Sequence, residues 1–419
     1  MEVEFEPLSP QWRQEPQRVH RRLRDHDPVH WAPEAGMYCI SRHADVSAVL
    51  KDPEAFSSAA MNSVLTDLGP IGPRFALALL GFLVRTRVNP FEMQRRGSLI
   101  SMDAPRHDAL RAIVNRGFSP RRIAAWEGRA HRIVADALAD LRPGTHFDLI
   151  ERVAVPLPVT IIAEMLGVEP ERHRDFKRWS DAIVSVASGA ARGNPAASGL
   201  LREFGELYVY LRDRARERRR APAEDLVSLL VDPSQEGVLD ELDVIQFVVL
   251  LLVAGNETTT NLIGNAVRLL LEHEDVLLRL VEEPALAPAV VEETLRHASP
   301  IRLVFRQTTR EVEVRGTRIP KDAVLALLLG SANRDERVFP DPDRFDVDRD
   351  TRGHLAFGFG PHFCMGASLA RLEARVALER LAPELVHCKR VGGELPWVDS
   401  FLVHGPARLE LERLGPELA

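Results

Sequence analysis

The chain has 419 residues, 45% of them hydrophobic, which is enough to bury a sizeable core. Its formal net charge of −7 argues against nucleic acid or an anionic membrane as a partner. Three cysteines, Cys39, Cys364 and Cys388, lie far apart, which excludes a disulfide framework and a cysteine-rich zinc site.

The acidic start MEVEFEPLSPQW carries no apolar segment of the signal-peptide kind, and a cytoplasmic location is expected. The longest apolar run, Phe247 to Ala254, is short of the ~20 residues that span a bilayer. Met37 to Ser41 reads as the end of a small N-terminal sheet. Residues 60–100 mix apolar stretches (Phe75, Leu77, Leu79, Leu80, Phe82, Leu83) with Gly69, Pro70, Gly72, Pro73 and Pro90. That pattern fits either a helix and loop packed on the core or a mobile lid over an apolar pocket. Helical spacing follows over Ile123 to Leu141, Pro158 to Leu166, Leu200 to Arg220, Asp240 to Leu271, Ala287 to His297 and Ala367 to Leu381. Between the last two lies a second strand group, Val312 to Val314, Thr317 to Ile319 and Ala323 to Leu328, with a tight turn at Arg315-Gly316. Phe339 to Arg352, rich in Pro and Asp, predicts an ordered coil. The sum is one mainly α domain over 1–419, with small antiparallel sheets and a long central helix at 239–271.

The strongest chemical signal is the loop 357–366, Phe357-Gly358-Phe359-Gly360-Pro361-His362-Phe363-Cys364-Met365-Gly366, with a helix directly behind it. A thiolate at a helix start meets unpaired N–H groups and the positive end of the dipole, both of which stabilise it. Glycines there let the backbone approach a flat, bulky partner, and Phe357 can keep water from the sulfur. Cys39 and Cys388 have no such context and read as structural.

Within the central helix, Ala254-Gly255-Asn256-Glu257-Thr258-Thr259-Thr260 is poor helix material. A glycine inside a helix costs about 1 kcal/mol. Glu257 follows an apolar segment that must be buried, and threonines can bond back to the preceding turn. Unrepaired local costs of this kind point to function. Further on, Glu293-Thr294-Leu295-Arg296 puts a carboxylate and a guanidinium on one helical face.

Together these residues resemble the cytochrome P450 family, in its bacterial, soluble, haem-thiolate form. The pattern F-x-x-G-x-x-x-C-x-G is long and specific, and the remaining motifs follow in order over nearly the whole chain. The resemblance implies a haem b cofactor with Cys364 as the iron ligand. Glu257 and Thr258 become the catalytic proton-relay pair, and Ala254 and Gly255 open space over the iron. His107, Arg111, Arg306, His354 and His362 take the haem propionates, with Phe357, Gly358 and Gly366 lining the cysteine side. Glu293, Arg296 and Arg344 form a buried charge network. Phe82, Phe91, Val249, Val253, Val304, Phe305, Phe401 and Leu402 line the substrate pocket. The implied reaction inserts one atom of O2 into an apolar small molecule. Electrons would reach this monomer from a ferredoxin or flavodoxin and its NAD(P)H reductase, docked against Arg106, Arg116 and Arg371. Two other readings stay open: a peroxide-driven peroxygenase and a haem sensor without turnover.

Overall fold

The computed structural model describes residues 3–12, 16–61, 73–88, 96–187, 197–232 and 239–415. They group into two compact units. The first comprises Met1–Phe56, Pro120–Pro158 and Glu257–Ala419; the second comprises Ser57–Ser119 and Val159–Asn256. Helices dominate both, as their 3.6-residue apolar spacing dictates.

The strands are β1 (Val29–Ala32), β2 (Met37–Ile40), β3 (Phe56–Ser57), β4 (His146–Asp148), β5 (Val304–Thr308), β6 (Val312–Val314), β7 (Thr317–Ile319), β8 (Val324–Leu327), β9 (Cys388–Arg390) and β10 (Glu410–Arg413). The N-terminal strands and β8, expected in separate groups, share one sheet, ordered β1-β2-β8-β5-β3, while β6 and β7 of the late group pair with each other in a second. Its β2–β8 pair is parallel, with Cys39 beside Ala326, so the sheets are not purely antiparallel. Ile40, Leu325 and Leu327 form a buried cluster with Val46 and Leu50, which places helix His43–Lys51 against this sheet. The β6–β7 hairpin turns at Arg315 and Gly316, both at positive φ (52° and 79°), as a two-residue primed turn requires. A third sheet runs β4-β10-β9.

Helix Ala287–His297 has the predicted bounds, and the central helix runs Glu241–Glu272, 32 residues. By length and hydropathy the central helix would pass as a membrane span, although its longest unbroken apolar run, Phe247 to Ala254, is short. Half of its most apolar window is buried inside the fold, and Asn261 and Asn265 sit buried further along it. Such a helix is what the core of a large α domain requires. The stretch Ile123 to Leu141 divides instead into Pro120–Ala124 and Glu127–Leu138, and the last long helix continues to Leu385. In the second unit, helix Pro73–Thr86 packs along helix Ala197–Arg220, where Phe82 stacks on Phe204 at 5.5 Å.

Candidate active site

Cys364 stands two residues before Gly366, the cap of helix Ala367–Leu385. Its backbone N–H donates to the Phe357 carbonyl at 2.8 Å, which closes the loop on itself. Gly358 and Gly360 both adopt positive φ, at 70° and 73°. A Cβ on Gly360 would lie 2.5 Å from the Leu50 carbonyl oxygen, so only glycine fits where the loop crosses helix His43–Lys51. At Gly366 a Cβ would face the Cys364 sulfur at 4.0 Å. His362 lies in the turn Gly360–His362 and is half-buried.

Glu293 and Arg296 are fully buried on helix Ala287–His297. Arg296 donates through Nε and Nη2 to the two Glu293 carboxylate oxygens, both at 2.7 Å. Its Nη1 donates to the carbonyls of Asn333 and Pro342, at 3.0 and 2.9 Å. The Asp346 N–H donates to Glu293 Oε1 at 2.9 Å. Arg344 enters this network differently from expectation. Its side chain is exposed, and only its carbonyl takes part, accepting from Arg296 Nη2 at 3.3 Å. The second cation is Arg349, whose Nε lies 3.5 Å from Glu293 and whose side chain is 8% exposed. The coil backbone points Arg344 outward and Arg349 inward, and a motif cannot reveal that choice.

In the central helix, Thr260 Oγ1 donates to the Ala154 carbonyl at 3.0 Å, and Asn256 Nδ2 donates to Ser180 Oγ at 2.9 Å. Glu257 has no ion-pair partner among the described residues, and burial pushes its carboxyl up to about 7. Thr258 is half-buried beside it. Thr259 hydrogen-bonds Glu373, a residue the motifs did not single out, on helix Ala367–Leu385. Burial raises the Glu373 carboxyl to about 8 against that bond. Only its setting identifies it; its sequence position on an apolar helix gave a faint hint.

A Cβ on Gly255 would lie 2.6 Å from Ile162 Cδ1, and its neighbour Ala254 is exposed. One more expectation changes. His354 does not offer its ring to a propionate. Its Nε2 lies 3.0 Å from Glu292, and its Nδ1 accepts from the Ala356 N–H at 3.2 Å. Both ring nitrogens are thereby engaged.

Arg306 is 5% exposed and donates to the Phe305 carbonyl. In the second unit His107 is buried, with Nδ1 2.8 Å from Asp108, and Arg111 is half-buried one turn further on. Phe305 is fully buried, 6.2 Å from the buried Phe401, and Phe82 stacks on Phe204. Val249, Val253, Val304 and Leu402 are half-buried, and Phe91 lies outside the described residues. Of the expected docking arginines, Arg106 is paired with Asp243 and Arg371 with Glu292, so their charges are neutralised; Arg116 is exposed.

These residues fit a thiolate-ligated haem. One half-exposed cysteine stands on a glycine-lined loop. Among the described residues no cluster of three or more His, Cys, Asp or Glu could hold a bare ion instead. Comparison with known proteins agrees. The Cytochrome P450 family profile matches residues 203–382. The erythromycin C-12 hydroxylase of Saccharopolyspora erythraea is 39% identical over 86% of this chain and 84% of its own. The cyclomarin C epoxidase of Salinispora arenicola is 33% identical over 94% and 95%. The solved structure of cytochrome P450 CYP109Q5 from Chondromyces apiculatus superposes with a TM-score of 0.86, at 40% identity over 99% of both chains. With its motifs in place and relatives of this identity spanning most of its length, the chain belongs to the cytochrome P450 family and is a haem-dependent monooxygenase.

Proposed function

We propose that the whole chain works as one cytoplasmic haem b domain that oxygenates an apolar small molecule, by hydroxylation or epoxidation, with electrons from a ferredoxin or flavodoxin. The observation that carries this reading is Cys364, held by its own loop at the head of a helix, with the half-buried acid Glu257 in the same unit. Haem, once ligated by the Cys364 thiolate, supplies the oxygen-activating chemistry. Arg306 and His362, in the unit that holds Cys364, would bind its propionates. Glu257, poised near neutrality, can hold a proton and release it at the Thr258 hydroxyl. The half-buried apolar residues Val304 and Leu402, in the unit of Cys364, would orient substrate and exclude water. A bulky apolar substrate is supported by the relatives, which are named for erythromycin and cyclomarin C, and by a structural neighbour solved with corticosterone.

The reduced, carbon-monoxide-bound spectrum of the haem-loaded protein tests the ligand. A thiolate-type band that is lost in Cys364→Ser supports the assignment; a histidine-type band refutes it. Substrate-dependent oxygen uptake with a surrogate ferredoxin system is expected. Turnover driven by peroxide alone would favour the peroxygenase reading, and oxygen uptake indifferent to every apolar compound tried would favour the sensor.

A further inference from the structure

Helix Ala287–His297 carries two adjacent carboxylates, and the family motif accounts for only the second. Glu292 faces the cysteine loop. Its Oε1 accepts from Arg371 Nε at 2.6 Å and its Oε2 from Arg371 Nη2 at 3.0 Å, a two-pronged grip. The guanidinium so held lies 4.6 Å from the centroid of the Phe357 ring, within cation–π range. Glu292 Oε2 also takes His354 Nε2, and His354 Nδ1 accepts the Ala356 N–H. The carboxylate thus fixes Phe357 twice, by a cation on its ring and through the backbone just before it. Phe357 in turn holds the Cys364 N–H with its carbonyl. The Glu292 side chain is 28% exposed and that of His354 is 5% exposed. Burial works to raise the Glu292 carboxyl, but its bonds to His354 and Arg371 hold it down at about 2, so it is anionic at every working pH.

We infer that Glu292 is a positioning residue for the Cys364 thiolate: it keeps the Arg371 cation on the Phe357 ring and balances that charge beside the cysteine loop. The inference rests on the haem-thiolate reading above. It makes a prediction of sign that a merely structural role does not. Removing the Glu292 charge leaves a positive charge uncompensated beside the cysteine loop, which favours the reduced, more negative iron and raises the reduction potential. Removing the Arg371 charge leaves the carboxylate uncompensated and lowers it.

The experiment measures the haem midpoint potential by dye-mediated titration in wild type, Glu292→Gln, Arg371→Gln and the double variant, at low salt. The expected result is an upward shift for Glu292→Gln, a downward shift for Arg371→Gln, and a double variant near wild type. Shifts of the same sign, or none, overturn the inference. Should Glu292→Gln fold poorly, the sign for Arg371→Gln alone decides, since its substitution is 37% exposed and leaves Glu292 to His354. A wild-type protein without the thiolate band would refute the haem-thiolate reading itself, and that failure is visible before any variant is titrated.

Discussion

Replacing Glu293 with alanine should cost this protein much of its stability and its capacity to load haem. The substitution removes both acceptors of the Arg296 fork and the acceptor of the Asp346 N–H, at a site with no exposure to water. Arg296 would keep its bonds to the Asn333 and Pro342 carbonyls, but its charge would be buried without a counter-ion. Breaking such a pair by deleting one partner costs about 3–5 kcal/mol. That is a large share of the ~5–15 kcal/mol that separates folded from unfolded states. The coil 342–346 is tied to helix Ala287–His297 by these bonds, and it leads into the cysteine loop, so the loss should reach haem loading. Urea unfolding with the Soret-to-280 nm ratio measures both effects. Glu293→Gln, which keeps an acceptor and the shape, should fall between alanine and wild type. A Glu293→Ala protein within about 0.5 kcal/mol of wild type, the range of neutral surface changes, and fully haem-loaded would refute the reasoning.

Gly360→Ala meets both a positive φ and the Leu50 carbonyl at 2.5 Å, so it should destabilise by about 1–3 kcal/mol and convert the thiolate spectrum, while Gly393→Ala, with open space around it, should do neither. Thr258→Ala should divert electrons to hydrogen peroxide; unchanged product per electron would remove Thr258 from the mechanism. Stability should peak near pH 6.5. Burial holds Glu257 and Glu373 at about 7 and about 8, above the ordinary 4.5, so the fold binds protons the unfolded chain does not, and stability falls as pH rises through that window. Burial, then neighbouring arginines, hold His20 (at about 3), His297 and His404 below 6.5, so stability also falls as pH drops beneath 6.5, gently while the two acids oppose it and steeply below 4.5. Denaturation midpoints that rise from pH 6.5 to 8 would refute this balance.

What the sequence disclosed was local. The cysteine loop, the Arg315-Gly316 turn and helix Ala287–His297 are each set by residues within a few positions of one another. The β2–β8 pairing joins Met37–Ile40 to Val324–Leu327, and no short pattern states which of several apolar strands will be neighbours. Both stretches are apolar, which is all that hydrophobicity encodes.

Charged residues divide along the same line. A candidate cation is recognised by type, but its use depends on the carboxylate that reaches it in three dimensions. Arg106 and Arg371 read as open charges and are neutralised by Asp243 and Glu292, 137 and 79 positions away. Arg344 and Arg349 exchange roles because the coil turns one guanidinium out and the other in. Glu292 and Glu293 show the limit most clearly. Adjacent residues on a helix point about 100° apart, so one faces the buried coil and the other the cysteine loop. The E-x-x-R spacing identifies Glu293 because its partner lies on the same helix. Glu292 finds its partners, Arg371 and His354, on two other segments, and only the folded chain brings them to it.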